Sequence, residues 1–128
     1  MVSAITNDIG VAVECSYNQS QSKPDMDYFL FSYKIKITNQ SLFDVQLLYR
    51  FWVIKDSCNE KHILEGEGVV GFQPVIEAGQ SYQYESYCQL KSDGGSMHGY
   101  YTFRKISDNS LLEAIIPEFV LMPQYKQN

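Results

Sequence analysis

Histidine is nearly missing from this 128-residue chain: His62 and His98 are the only two. A histidine-rich metal or base–nucleophile centre is short of ligands from the outset. The spacing His62-x-x-Glu65, with Glu67 beyond it, suits one face of a helix, and the segment has no helical pattern. Cysteine is also scarce. Cys15, Cys58 and Cys88 are widely spaced and form no C-x-x-C pair, which excludes a disulfide framework and a cysteine-clustered zinc site. The order Cys15, Trp52, Cys88 faintly echoes antibody domains. The first cysteine lies on the first strand, however, and reduced thiols are the reading. Basic residues number 10 against 15 acidic ones, a net charge of −5. Without a basic footprint no nucleic-acid partner is expected, and without a polybasic run no anionic membrane surface. No apolar run approaches the roughly 20 residues a membrane-spanning helix needs. Residues 1–9 lack the positive and apolar regions of a signal peptide, so a soluble, cytoplasmic protein is expected. There is no G-x-S-x-G elbow or other catalytic signature. The residues therefore point away from an enzyme, with a metal-dependent phosphoesterase using His62 or Glu67 as the weaker alternative. No metal and no cofactor are expected.

What the chain has is aromatic, alternating sequence. Ten Tyr and seven Phe, in a chain 45% hydrophobic, favour pleated and half-buried surfaces over disorder. Ile9, Val11, Val13, Cys15 and Tyr17 alternate with small or polar residues, and Phe29, Phe31, Tyr33, Ile35 and Ile37 do the same. Between them, residues 18–27 are rich in Ser, Gln, Asp and Pro and read as a surface loop. Residues 45–54 are apolar on both faces and read as a central strand. Here Val45, Leu47, Tyr49, Phe51 and Val53 form one row, while Leu48, Arg50 and Trp52 lie on the other. Ile63-Leu64, residues 74–76, 82–90, 100–106 and 111–121 supply further strands separated by turn signals such as Ser92-Asp93-Gly94-Gly95. About seven to eight short strands predict an all-β chain, an antiparallel β-sandwich, with helix limited to a turn or two. No linker divides the chain, so residues 1–128 read as one domain with its core over about 8–121, and residues 1–8 and 123–128 read as frayed.

The segment Gly66-Glu67-Gly68-Val69-Val70-Gly71-Phe72-Gln73-Pro74 contains G-x-G-x-x-G. A dinucleotide fingerprint must open a helix, and a phosphate loop needs a following Gly-Lys-Ser/Thr. Neither is present. Two readings remain open. The glycines shape a long inter-strand connection, or their amides form a nest for an anion, against which Glu65 and Glu67 count. Gly66, Gly68 and Gly71 are thus the candidate ligand-binding residues. Arg50 and Trp52, with Phe72 of the connection, are the candidate recognition surface, since aromatic and Arg side chains are enriched at binding hot spots; the alternative is that the Leu48, Arg50 and Trp52 face is covered by the glycine connection or by a second sheet.

Several ordered motifs carry a family resemblance. Gln46-Leu47-Leu48-Tyr49-Arg50-Phe51-Trp52-Val53-Ile54 is similar to the Q-L-L-x-R-x-W-x-I strand of the ApaG proteins, and the Gly66 to Pro74 segment to their G-x-G-V-V-G-x-Q-P loop. Tyr84-x-Ser86-x-Cys88-x-Leu90, Gly95-x-Met97-x-Gly99-x-Tyr101 and Ile116-Pro117-x-Phe119-x-Leu121 continue it across about residues 8–121. Phe51, Phe72 and Ser92-Asp93 depart from the usual pattern. The resemblance implies an immunoglobulin-like or fibronectin-III-like sandwich and a link to cobalt tolerance and magnesium efflux. It further implies a protein-recognition role, as in the eukaryotic F-box proteins that carry the domain, or pyrophosphate or nucleotide binding through the glycine loop. A protein partner, or failing that a pyrophosphate-containing nucleotide or a divalent cation, is the expected ligand, and a homodimer is compatible with it.

Overall fold

Alternation sorts the side chains into two layers. The computed structural model describes residues 1–58, 60–123 and 125. In chain order the strands are β1 (Val2–Thr6), β2 (Ile9–Tyr17), β3 (Phe29–Asn39), β4 (Val45–Asp56), β5 (Lys61–Glu67), β6 (Val75–Ile76), β7 (Ser81–Leu90), β8 (Gly95–Lys105) and β9 (Leu111–Leu121). The one named helical element among the described residues is the 3₁₀ turn Pro24–Met26. One sheet has the order β1-β2-β3-β7, the other β5-β4-β8-β9, and β6 pairs with β4. All pairings are antiparallel. The two sheets make the antiparallel sandwich that the alternation predicts.

The strand count exceeds the expected seven to eight because residues 1–8 are ordered, not frayed. Val2, Ala4 and Thr6 pair with Val13, Val11 and Ile9. Asn7 and Asp8, at φ of 51° and 63°, make the tight turn between β1 and β2. These residue types tolerate the left-handed region at low cost. At the other end Pro123 is buried and the Tyr125 ring meets Tyr17 edge-on at 6.3 Å. The rest of the expected frayed tail, residues 124 and 126–128, lies outside the described residues.

The core is the interleaf between the sheets. Val11 and Val13 of β2 and Phe31, Ile35 and Ile37 of β3 face Leu47, Met97, Tyr101, Phe103, Ile116 and Leu121, all almost wholly buried. Each such side chain contributes roughly 1.5–3 kcal/mol by leaving water. Trp52 is the aromatic hub, with the rings of Tyr33 at 5.4 Å and Phe119 at 5.9 Å both edge-on to it.

That position of Trp52 corrects the sequence reading. The β4–β8 register shifts between Leu47 and Tyr49, a β-bulge at Leu48. One extra residue reverses which side chains face inward. Val45 and Leu47 point to the core before the bulge, and Trp52 and Ile54 point to it after. The even-numbered row therefore does not form an outer recognition face.

The two edges of the second sheet differ. Along β9, Asn7 Nδ2 donates to the Glu113 carbonyl at 2.8 Å, the Ile115 amide donates to Thr6 Oγ1 at 3.2 Å, and Cys15 Sγ donates to the Val120 carbonyl at 3.3 Å. Side chains from β1, β2 and their turn thus seal that edge. Among the described residues β5, at the opposite edge, pairs with β4 alone, and every residue of it except Gly66 is exposed.

Candidate functional site

Beyond β5 the chain turns back on itself in a tight hairpin. The amide of Val69 donates to the Phe72 carbonyl at 2.8 Å and the amide of Phe72 returns to the Val69 carbonyl at 3.0 Å. The two tip residues, Val70 and Gly71, have φ of 49° and 83°. Positive φ at both positions is the signature of the type I′ hairpin turn. Gly71 adopts it freely, whereas Val70, β-branched, is held there against its preference. The tip rests on Val69, which is 1% exposed, and displays Val70 at 57% and Phe72 at 66% exposure.

The three candidate glycines serve different ends. A Cβ on Gly66 would stand 3.2 Å from both terminal nitrogens of Arg50, so this glycine leaves a path for the guanidinium. A Cβ on Gly68 would collide with the Phe72 carbonyl oxygen, so here the hairpin leaves no room for a side chain. At Gly71 there is space, and the demand is conformational alone.

Arg50 ties the hairpin to the sandwich. Its Nη1 donates to the carbonyls of Glu67 and Gly68, each at 3.0 Å. Two further ties run to the bulge: the Gly68 amide and Gln73 Nε2 both donate to the Leu48 carbonyl at 2.9 Å. The bulge that inverted the facing of β4 also frees this carbonyl for the loop. Neither the bulge nor the role of Gln73 carries a sequence signal apart from the family motif in which both residues sit.

Behind Arg50 lies a tyrosine cluster that sequence reasoning missed. The hydroxyls of Tyr84 and Tyr101 are hydrogen-bonded to each other, and the ring of Tyr33 packs on Trp52. Burial holds the phenols of Tyr33, Tyr84 and Tyr101 above their ordinary value, and the Arg50 charge opposes the rise at all three. They are neutral hydroxyls that finish the core against the guanidinium. The period-two pattern does place them on inner faces, which was the available signal.

Metal-binding side chains are arranged differently from the sequence pattern. On a strand an odd separation puts His62 and Glu65 on opposite faces, so they do not converge. Among the described residues one group of carboxylate and imidazole donors does come together, Asp56, Glu60 and His62, within 4.8 Å of one another. Asp56 Oδ1 there accepts the amides of Cys58 at 2.9 Å and Glu60 at 3.1 Å, which is turn structure. The cysteines are free: Cys58 is exposed, Cys15 half-buried and Cys88 buried. Burial pushes the Cys88 thiol up to about 11.

Comparison with known proteins agrees with these motifs. A family model described as the ApaG domain matches residues 19–105. Protein ApaG of Bdellovibrio bacteriovorus is 42% identical over 115 residues, covering 90% of each chain. Protein ApaG of Brucella canis is 41% identical over 121 residues, covering 94% of this chain and 92% of that one. Among solved structures, the putative ApaA protein from Bordetella pertussis superposes with a TM-score of 0.88 at 32% identity, over 91% of this chain and 94% of that one. With its strands, bulge and pinned glycine hairpin in place, the chain belongs to the ApaG family.

Proposed function

We propose that this protein is a non-catalytic recognition module that binds another protein in the cytoplasm through the 69–72 hairpin tip. The observation that carries the reading is the display of Val70 and Phe72 to solvent on a tip fixed by Arg50, Gln73 and the buried Val69. An exposed aromatic on a preorganised support loses little entropy on binding, which is what a hot spot requires. The family resemblance ties such a module to cobalt tolerance and magnesium efflux.

The alternative is a regulator that binds pyrophosphate-containing nucleotides or a divalent cation at the glycine loop. Several loop amides are already committed: Gly68 to Leu48, Val69 to Phe72 and Phe72 to Val69. The cationic Arg50 is turned onto loop carbonyls, and Glu65 and Glu67 sit on the adjoining strand. These features favour a protein partner over an anion.

Affinity capture from native extract with the wild-type protein and with Phe72→Ser tests the reading. The substitution is on the surface and is expected to leave the fold intact, within about 0.5 kcal/mol, while partner capture falls away. Unchanged capture by the folded variant would count against the tip. A ligand at about 100 times its dissociation constant raises stability by about 2.7 kcal/mol. A thermal shift of that size with pyrophosphate, a diadenosine polyphosphate, Co²⁺ or Mg²⁺ would favour the ligand-binding alternative.

A further inference from the structure

The bare edge of β5 has a definite hydrogen-bonding order. The Asp56 amide donates to the Glu60 carbonyl at 3.1 Å, and the Gly68 amide to the Leu48 carbonyl at 2.9 Å. Between these ends the even-numbered residues of β5 turn their backbone groups toward β4. Lys61, Ile63, Glu65 and Glu67 therefore turn theirs outward, to the free edge. Their side chains share one face of the sheet, and those of His62 and Leu64 share the other with Gly66. Ile63 is 63% exposed and Leu64 48%. An edge with both unpaired backbone groups and exposed apolar side chains invites another strand.

We propose that two copies of this chain pair through β5, antiparallel, about a two-fold axis centred on Leu64. This register brings the whole seven-residue strand into the pairing. Lys61 of one copy stands opposite Glu67 of the other, twice over by symmetry, and opposite charges directly across a ladder are stabilising. Ile63 stands opposite Glu65, so the outward-turned backbone groups of these four residues meet each other. His62 falls opposite Gly66, whose missing side chain is the passage already taken by the Arg50 guanidinium. Leu64 meets its own copy, and an apolar side chain left half-bare in one copy is covered in two. The Glu67 carbonyl, with two lone pairs, keeps its bond from Arg50, which approaches from the inner face.

Neighbouring registers fit less well. Centring on Glu65 sets that carboxylate against itself. Centring on Ile63 leaves Gly66 and Glu67 beyond the partner's β5. Moving the axis between residues sets the inner face of one strand against the outer face of the other. The pairing uses residues other than the 69–72 tip, so loss of pairing and loss of partner capture are read independently.

Sedimentation velocity from low micromolar to near-millimolar protein tests the proposal. The expected result is a concentration-dependent shift from one copy to two. Ile63→Pro deletes an amide that faces the free edge, not β4, and is expected to keep the far-ultraviolet spectrum while remaining a single copy. Lys61→Glu and Glu67→Lys, each alone, are expected to weaken pairing by about tenfold or more. Equimolar mixing of these two variants gives one strand acidic at both ends and a partner strand basic at both ends. Opposite charges then face each other across the ladder again, and pairing is expected to return. A wild-type protein that stays a single copy throughout, a dimer indifferent to Ile63→Pro, or a mixture no better than its components would overturn it.

Discussion

The Arg50 guanidinium crosses directly over Gly66, 3.2 Å from where a Cβ on that glycine would stand. The two are register partners on adjacent strands, so the missing side chain on β5 is the passage by which a β4 side chain reaches the loop beyond.

Removing the crossing side chain should loosen the hairpin without unfolding the sandwich. Arg50→Ala removes charge-assisted bonds to the carbonyls of Glu67 and Gly68, at an expected cost of about 2 kcal/mol. Hydrogen exchange checks the location of the loss: protection should fall at the Val69 and Phe72 amides and persist in β3 and β8. Arg50→Lys should recover only part of it, since an ammonium on a flexible stem does not reproduce the guanidinium fork.

Gly68 and Gly71 should respond differently to alanine. At Gly68 the new methyl meets the Phe72 carbonyl and the left-handed backbone together, an expected cost of about 4 kcal/mol. At Gly71 only the backbone objects, an expected cost of about 1–2 kcal/mol. Urea unfolding of the two variants reads the order directly. Equal losses would mean that the close contact at Gly68 relaxes.

Val70→Asn should separate stability from recognition. Asn followed by Gly is the favoured pair for a type I′ turn, and the change relieves a β-branched residue held at φ of 49°. A gain of about 1 kcal/mol in thermal or urea unfolding is expected. The same change removes an exposed apolar side chain from the tip, so partner capture should weaken as stability rises.

Alkali should destabilise the fold in a defined window. The buried Cys88 thiol is raised from 9.0 to about 11, so the unfolded chain releases this proton first as pH climbs. The stability linked to it is complete below about pH 9 and is lost on the way to about pH 11. The phenols of Tyr33, Tyr84 and Tyr101, also raised from 10.0 by burial, extend the loss to higher pH. Melting temperatures measured from pH 8 to pH 11 should fall in that order, and Cys88→Ala should flatten the first part of the fall.

Much of the sandwich was legible because a strand with one buried face writes its period into the chain. Ile9 to Tyr17 and Phe29 to Ile37 read correctly on that ground, and Leu111 to Leu121 is a strand as expected although its buried row switches between Ile116 and Phe119. Trp52 did not, because a bulge at Leu48 has no residue type of its own, and a shift of one position reverses every later assignment on the strand. The glycine motif marked the place of the candidate site but not its form. Val70 is the reason: a β-branched residue in a left-handed tip is the opposite of a turn signal. β1 was overlooked because the Asn7-Asp8 turn lacks the glycine that usually announces one.

The sealing of β9 bears on how this protein behaves when crowded. A sheet open at both edges can add copies without limit, and that is the geometry of fibres. Here side chains of Thr6, Asn7 and Cys15 occupy backbone groups along one edge. Growth of this sheet is left a single direction, and a strand that meets its own copy there closes the count at once. Truncating the first eight residues would remove Thr6 and Asn7, leave of those three contacts only that of Cys15 with the Val120 carbonyl, and reopen this edge of the sheet to growth.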